Sequence, residues 1–318
     1  MSQRYPLLYR ILRILGLAAI LVGLNSSGWS EDWVLAGVVT AILMVGMPHG
    51  ATDYLIFKHL TRPFWGTRSL RLFYIRYILL MAAYGLVWWL APSIALALFL
   101  LFSMYHFGQS NWHYARSMPT GLATFTYMVW GAFVVLAPVA GHYPETAPII
   151  GKLIGGEAPE LPGTLRYGLL GGLLGINLWL PYSLKRRGFI SRRALRDEWI
   201  NLGLLAAVFA ATPGLVGFTI YFVGWHSLTS ILDQVAFFRE ARGTYSLRDY
   251  VRATLPLTAV ALLGLALLAG VQHLLGMGLG IGALFMFISI VTLPHMILLD
   301  RLYHELGQKD HPGHDLII

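Results

Sequence analysis

Apolar runs, most of them near the roughly 20 residues needed to cross the hydrocarbon core of a bilayer, repeat along nearly the whole chain and are separated by short polar or basic stretches. They lie at about 8–26, 32–57, 72–91, 93–115, 122–140, 164–183, 199–213, 214–238, 251–275 and 277–303. This pattern predicts an all-α, polytopic membrane helix bundle of about ten transmembrane helices, with residues 1–318 forming a single integral-membrane domain. The segment AATPGLVG at 210–217 reads either as a tight outer turn between two spans or as a proline kink in one long helix. The connection 141–163, rich in Pro and Gly, is expected to cap the outer surface.

Lys and Arg accumulate in short cytoplasmic loops and so test the count. With helices alternating from a cytoplasmic N-terminus, every Lys and Arg except Lys152 and Arg166 falls on the inner side, Arg62 and Arg116 included. The predicted topology therefore has both termini cytoplasmic, in a bacterial inner membrane. Arg4, Arg10 and Arg13 lead into the first apolar run as in a signal peptide. No small-x-small cleavage site follows, and the run is read as a span. The basic loop KRRGFISRRALRDEW is expected to be solvated and drawn to anionic membrane lipids.

Composition agrees: 57% of residues are hydrophobic, only 12% are charged, and the mean hydropathy is +0.63. The formal charge of +8 is explained by topogenic loops, so no nucleic-acid partner is expected. The absence of cysteine excludes disulfides, iron–sulfur clusters and thiolate metal sites, so any metal must be held by His, Asp or Glu.

Four histidines fall well inside apolar runs: His49, His106, His226 and His295. Each precedes the next basic residue by six to thirteen positions, which places all four roughly 9–20 Å above the inner boundary at the α-helical rise. A single buried histidine usually satisfies a hydrogen bond between helices. Four at one depth are harder to satisfy that way, because an unpaired imidazole in hydrocarbon costs several kcal/mol. A metal ion would satisfy all four, and neutral imidazoles suit iron, zinc, copper or nickel.

Asp53, Asp233 and Asp300 follow His49, His226 and His295 by about one or two turns. They are expected either to orient a ligand histidine or to pair with neighbouring Lys58, Arg239 and Arg301. His113 is a further candidate for the same cavity, whereas His59, His304, His311 and His314 read as solvated at the inner surface. Aromatic residues crowd these positions, and Tyr105, Phe107, Trp112, Phe222 and Trp225 are candidates for the wall of an apolar substrate tunnel.

The blocks GMPHGATDYLI, YHFGQSNW, GWHSLTSILDQ and TLPHMILLDRLY, in this order between about 42 and 303, resemble the Brp/Blh family of membrane-embedded β-carotene 15,15'-dioxygenases. The resemblance implies an enzyme that uses Fe(2+) and dioxygen to cleave β-carotene or a related carotenoid to retinal, often supplied to a rhodopsin. It further implies His49, His106 and His226 as iron ligands, with His295 in another family block.

Two positions depart from the family pattern. Ser230 stands where the family commonly has a second histidine four residues after the match to His226. Asn111 stands where it commonly has an acid five residues after the match to His106. A hydroxyl and an amide are poor ferrous ligands. Either His295 completes a four-histidine site, or a three-histidine site keeps an open position, or the metal is weak and the reaction is lost. The last case makes the chain a non-catalytic carotenoid- or lipid-binding membrane protein. Intramembrane His and Asp would also fit the proton relay of a transporter.

Overall fold

A computed structural model describes residues 4–25, 30–60, 67–115, 118–276 and 280–309. His311, His314, Arg62 and Arg116 lie outside the described residues. Each apolar run falls on helix, and among the described residues there is no strand. The helices are α1 (Pro6–Leu24), α2 (Glu31–Ala41), α3 (Asp53–Leu60), α4 (Thr67–Leu90), α5 (Pro92–Trp112), α6 (Thr120–Gly141) and α7 (Tyr143–Ile154). They continue with α8 (Gly163–Arg186), α9 (Arg192–Ala211), α10 (Gly214–Ile220), α11 (Thr229–Arg242), α12 (Leu247–Leu274) and α13 (Ile281–Lys309).

Eight helical rods among the described residues are long and apolar enough to cross a bilayer, two of them composite: Glu31–Leu60 and Gly214–Arg242. Helices α8 and α9 fall where the other two of the about ten expected spans lie; they are long enough to cross, but more polar than the eight. Helix α8 is glycine-rich and ends in Lys185 and Arg186, and α9 opens on Arg192 and Arg193 and buries Asp197, Glu198 and Asn201.

The ambiguity at 210–217 resolves as a turn. Helix α9 stops at Ala211, Thr212 is extended (φ −120°, ψ 153°), and Pro213 (φ −51°, ψ 144°) starts α10. A proline disfavours helix in the residue before it. The turn is also tight, since a Cβ on Gly214 would lie 2.8 Å from the Pro138 carbonyl oxygen. The outer connection 141–163 is largely α7, a 12-residue helix closed by left-handed Gly155 (φ 70°) and packed on α5, α6 and α13.

Two departures from α-helix position the site. Between α2 and α3 the chain forms a π turn at Ile42–Gly46 and a 3-10 turn at Pro48–Gly50, where Pro48 has no N–H to donate. Between α10 and α11 it forms a longer π segment, Tyr221–Leu228. Such π segments are rare and recur at functional sites. The two segments pack on each other so closely that a Cβ on Gly46 would lie 2.4 Å from Phe222 Cε1. Helix α5 is instead locked to α6 by reciprocal backbone contact. A Cβ on Gly108 would meet the Tyr127 oxygen at 1.8 Å, and one on Gly131 the Met104 oxygen at 1.7 Å. Small residues let membrane helices approach in this way when no hydrophobic effect drives them together.

Candidate functional site

His49 sits in the 3-10 turn, His106 in the last third of α5, His226 in the second π segment and His295 directly after Pro294 in α13. The fold brings the four rings together, all of them buried. Ring centres lie 5.1 Å apart for His49 and His226, 4.8 Å for His106 and His226, 4.9 Å for His49 and His295, and 5.4 Å for His106 and His295. His49, His106 and His226 each present a ring nitrogen within 4.8 Å of the others. His295 stands beside this trio without belonging to it.

Three of the rings are anchored through Nδ1. His49 Nδ1 donates to the Gly46 carbonyl, which the π turn leaves facing it. His295 Nδ1 donates to Asp53 Oδ1 at 2.8 Å. Ser110 Oγ donates to the Phe107 carbonyl at 3.0 Å and thereby accepts from His226 Nδ1, also at 3.0 Å. An imidazole whose Nδ1 carries the proton presents a bare lone pair at Nε2. Nε2 of His226 and His295, and both nitrogens of His106, are buried without a hydrogen-bond partner. Buried polar atoms are normally paired. Convergent neutral imidazoles held by outer hydrogen bonds are the donor set a borderline transition-metal ion takes.

The histidines line an apolar cavity of about 530 Å³. Phe107 and Phe222 line it, as expected, but Tyr105, Trp112 and Trp225 do not. Trp112 is wholly buried and packs on Tyr114 and Trp130, Trp225 lies in the main core, and Tyr105 turns to donate to Asp300 Oδ1 at 2.9 Å. Much of the wall comes from helices the sequence did not single out: α4 with Tyr77, Ile78 and Met81, α7 with Ile149, and α12 with Val260.

The acids are also redirected. Asp53 follows His49 by four residues, yet the broken helix turns it to His295 and to the hydroxyl of Tyr77, which donates to Oδ2 at 2.9 Å. Asp300 accepts from Tyr105 and from Gln109 Nε2 at 2.7 Å, and takes neither His295 nor Arg301 as its hydrogen-bond partner. Asp233 accepts from Tyr5 at 2.7 Å and faces Arg4 and His113, each at 3.6 Å, in place of Arg239. His113 therefore belongs to that group and not to the cavity lining. His304 is exposed, whereas His59, expected to be solvated, packs edge-on to Phe237 with ring centres 4.9 Å apart.

Ser230 and Asn111 are engaged outside the cavity lining. Ser230 Oγ accepts from Gln234 Nε2 at 3.2 Å and from the Tyr303 hydroxyl at 3.4 Å, and Gln234 in turn donates to the His49 carbonyl at 2.9 Å. Asn111 donates to Glu198 at 3.2 Å. Sequence reasoning missed Tyr77 and Ser110 as supports of the histidines. Ser110 lies one turn after His106 yet serves His226 on another element, so spacing along α5 would not have found its role, and no local pattern marked Tyr77.

A bundle with these spans and an intramembrane histidine cluster on an apolar cavity is an integral membrane protein suited to hydrophobic substrates. The family described as beta-carotene 15,15'-dioxygenase matches residues 40–303, and the chain belongs to that family. A beta-carotene 15,15'-dioxygenase from uncultured marine bacterium 66A03 is 24% identical over 284 residues, covering 87% of this chain and 96% of that protein. A probable beta-carotene 15,15'-dioxygenase Blh from Halobacterium salinarum is 25% identical over 217 residues, covering 63% of this chain and 62% of that protein. No solved structure matches.

Proposed function

We propose that the protein cleaves β-carotene or a related carotenoid with dioxygen, giving retinal-type aldehydes, and that it does so with a ferrous ion held by His49, His106 and His226, with His295 beside them. The observation that carries this reading is the trio of ring nitrogens within 4.8 Å of one another at the wall of an apolar cavity. Bound iron would supply the redox chemistry toward dioxygen. The chain's own residues do the rest. Gly46, Ser110 and Asp53 hold His49, His226 and His295 through Nδ1, which leaves Nε2 of each ring available to a metal.

Phe107 and Phe222 wall the space beside the cluster, and the apolar cavity positions a polyene and excludes water. Its volume of about 530 Å³ falls within the usual range for ligand sites of roughly 300–1,000 Å³. A hydrocarbon substrate partitions into the bilayer, so a site at membrane depth meets it where it is already dissolved. In this reading the basic loops face the cytoplasm of a bacterial cell, and the retinal formed is available to a rhodopsin in the same inner membrane.

Ser230 and Asn111 favour the rival, a carotenoid-binding protein that turns nothing over. Both side chains have other hydrogen-bond partners, and His295 stands beside the trio with a bare Nε2. That arrangement supports a working site. Expression in a carotene-accumulating bacterial host separates the two readings. Loss of colour with retinal formed, and iron in the purified protein, is the expected result. Retained colour with intact carotenoid co-purifying overturns cleavage.

A further inference from the structure

The cavity runs from the histidines in two directions. On α5 its lining residues extend from Leu96 to Phe107 and on α13 from Phe285 to His295, with the histidine near or at the same end each time. At the α-helical rise that is an arm of roughly 15 Å. Its far end is lined by α7, through Thr146, Ile149, Ile150 and Leu153. The other direction leads sideways, between α4 and α12. Ile78 on α4 and Val260 on α12 both line the cavity, yet each is 62% exposed on the outer face of the bundle.

A side chain that belongs at once to an interior cavity and to the lipid-facing surface marks an opening. Helices α4 and α12 each pack on α13, but among the described residues they pack little or not at all on each other. Val291 and Thr292 of α13 form the floor of the gap, and Tyr74, Met81, Leu257 and Ala261 complete its sides. None of these residues carries a formal charge, and Thr292 returns its hydroxyl to the Ile288 carbonyl at 2.6 Å. The gap is apolar apart from the Tyr74 and Thr292 hydroxyls and presents nothing to pair with a charged ligand.

We propose that this gap is a lateral portal, through which a long apolar polyene enters from the hydrocarbon of the bilayer and in which one half of it stays while the other half fills the arm beneath α7. The inference rests on the carotenoid reading above. A rod-shaped substrate reacting at its middle needs two arms leading away from the histidines. The arm under α7 supplies one, and the α4–α12 gap supplies the other. The surface outside the gap is lipid-facing and apolar, with Leu79 61% and Leu263 71% exposed beside it.

The test uses the full chain expressed in a carotene-accumulating host, with carotenoid per purified protein, retinal formed and metal content read separately. Ile78→Trp and Val260→Trp obstruct the gap. Leu79→Trp and Leu263→Trp place the same bulk at neighbouring lipid-facing positions that do not line it. We expect the first pair to lower carotenoid loading about tenfold or more, the discrimination that a small steric change in an apolar slot commands. Metal content should stay unchanged, and the control pair should load like the wild type. Ile78→Ala and Val260→Ala, which widen the gap, should load at least as fast.

Equal loading by both tryptophan pairs overturns the portal, and retinal still formed in that case leaves the cleavage reading standing. Carotenoid loaded through the gap but never cut overturns cleavage and leaves the portal intact. A wild-type protein that forms no retinal and holds only phospholipid acyl chains, with no carotenoid, overturns the portal as stated.

Discussion

His106 on α5 and His113 at its C-cap lie seven residues apart, are both buried, and are treated differently by the fold. His113 donates from Nδ1 to the Ser110 carbonyl at 3.0 Å, faces Asp233 with Nε2 at 3.6 Å and stacks on Tyr303 with ring centres 4.6 Å apart. Asp233 is itself held by Tyr5 and Arg4, so His113 faces a carboxylate, although His113 Nε2 and Asp233 Oδ2 stop short of a hydrogen bond. His106 faces the rings of His226 and His295, and neither of its nitrogens has a hydrogen-bond partner. The same helix that finds His113 a carboxylate leaves His106 among other bases. Unpaired burial of a polar group costs several kcal/mol, so the comparison separates a structural histidine from one kept for binding.

The strongest way to break this comparison is His106→Ala in iron-supplemented cells. Metal per protein should fall to background and retinal formation with it, a loss larger than the roughly 10–100-fold typical of removing an outer hydrogen-bond partner. A His106→Ala protein that keeps its metal by elemental analysis would place the ion elsewhere. Asp53→Asn should come next. It weakens the acceptor for His295 Nδ1 and for Tyr77, and metal affinity by competitive chelation should drop about 10–100-fold.

Ser110→Ala should do less, on the order of tenfold or below, because Phe222 still stacks on the His226 ring at 5.6 Å, with 22° between planes. Asp233→Asn is the sharpening control. Metal content should not move, while thermal unfolding should show a loss of about 1–3 kcal/mol, the cost of loosening a buried hydrogen-bonded group. If Asp233→Asn empties the site as His106→Ala does, the two histidines are not distinct in kind.

The helical class of the fold and the shared depth of the four histidines were legible in the sequence, because apolar length and basic loops fix where a segment sits along the membrane normal. What lay around each histidine was far less legible. The expected partner of Asp53 was wrong because an i, i+4 argument assumes continuous α-helix, and the turns at 42–50 break it. Tyr105, Trp112 and Trp225 were expected in the tunnel on local crowding alone. In lipid a helix can be apolar on every face, so hydropathy does not say which face meets a neighbour. The walls from α4, α7 and α12 were missed for the same reason. The runs at 164–183 and 199–213 are helical as expected, and what sets them apart from the other spans is the polarity of α8 and α9.

The π segment at Tyr221–Leu228 makes His226 sensitive to reading frame in the geometric sense. A segment of this kind holds one residue more per turn than its flanks need. Removing one residue between Tyr221 and Trp225 would let regular helix re-form with α10 and α11 still in phase, and would change the angular placement only of the residues inside the segment, His226 among them. The imidazole would leave its companions while hydropathy, length and span stayed as they are. A relative shortened by a single residue here would look intact by every measure of composition and yet lack the cluster.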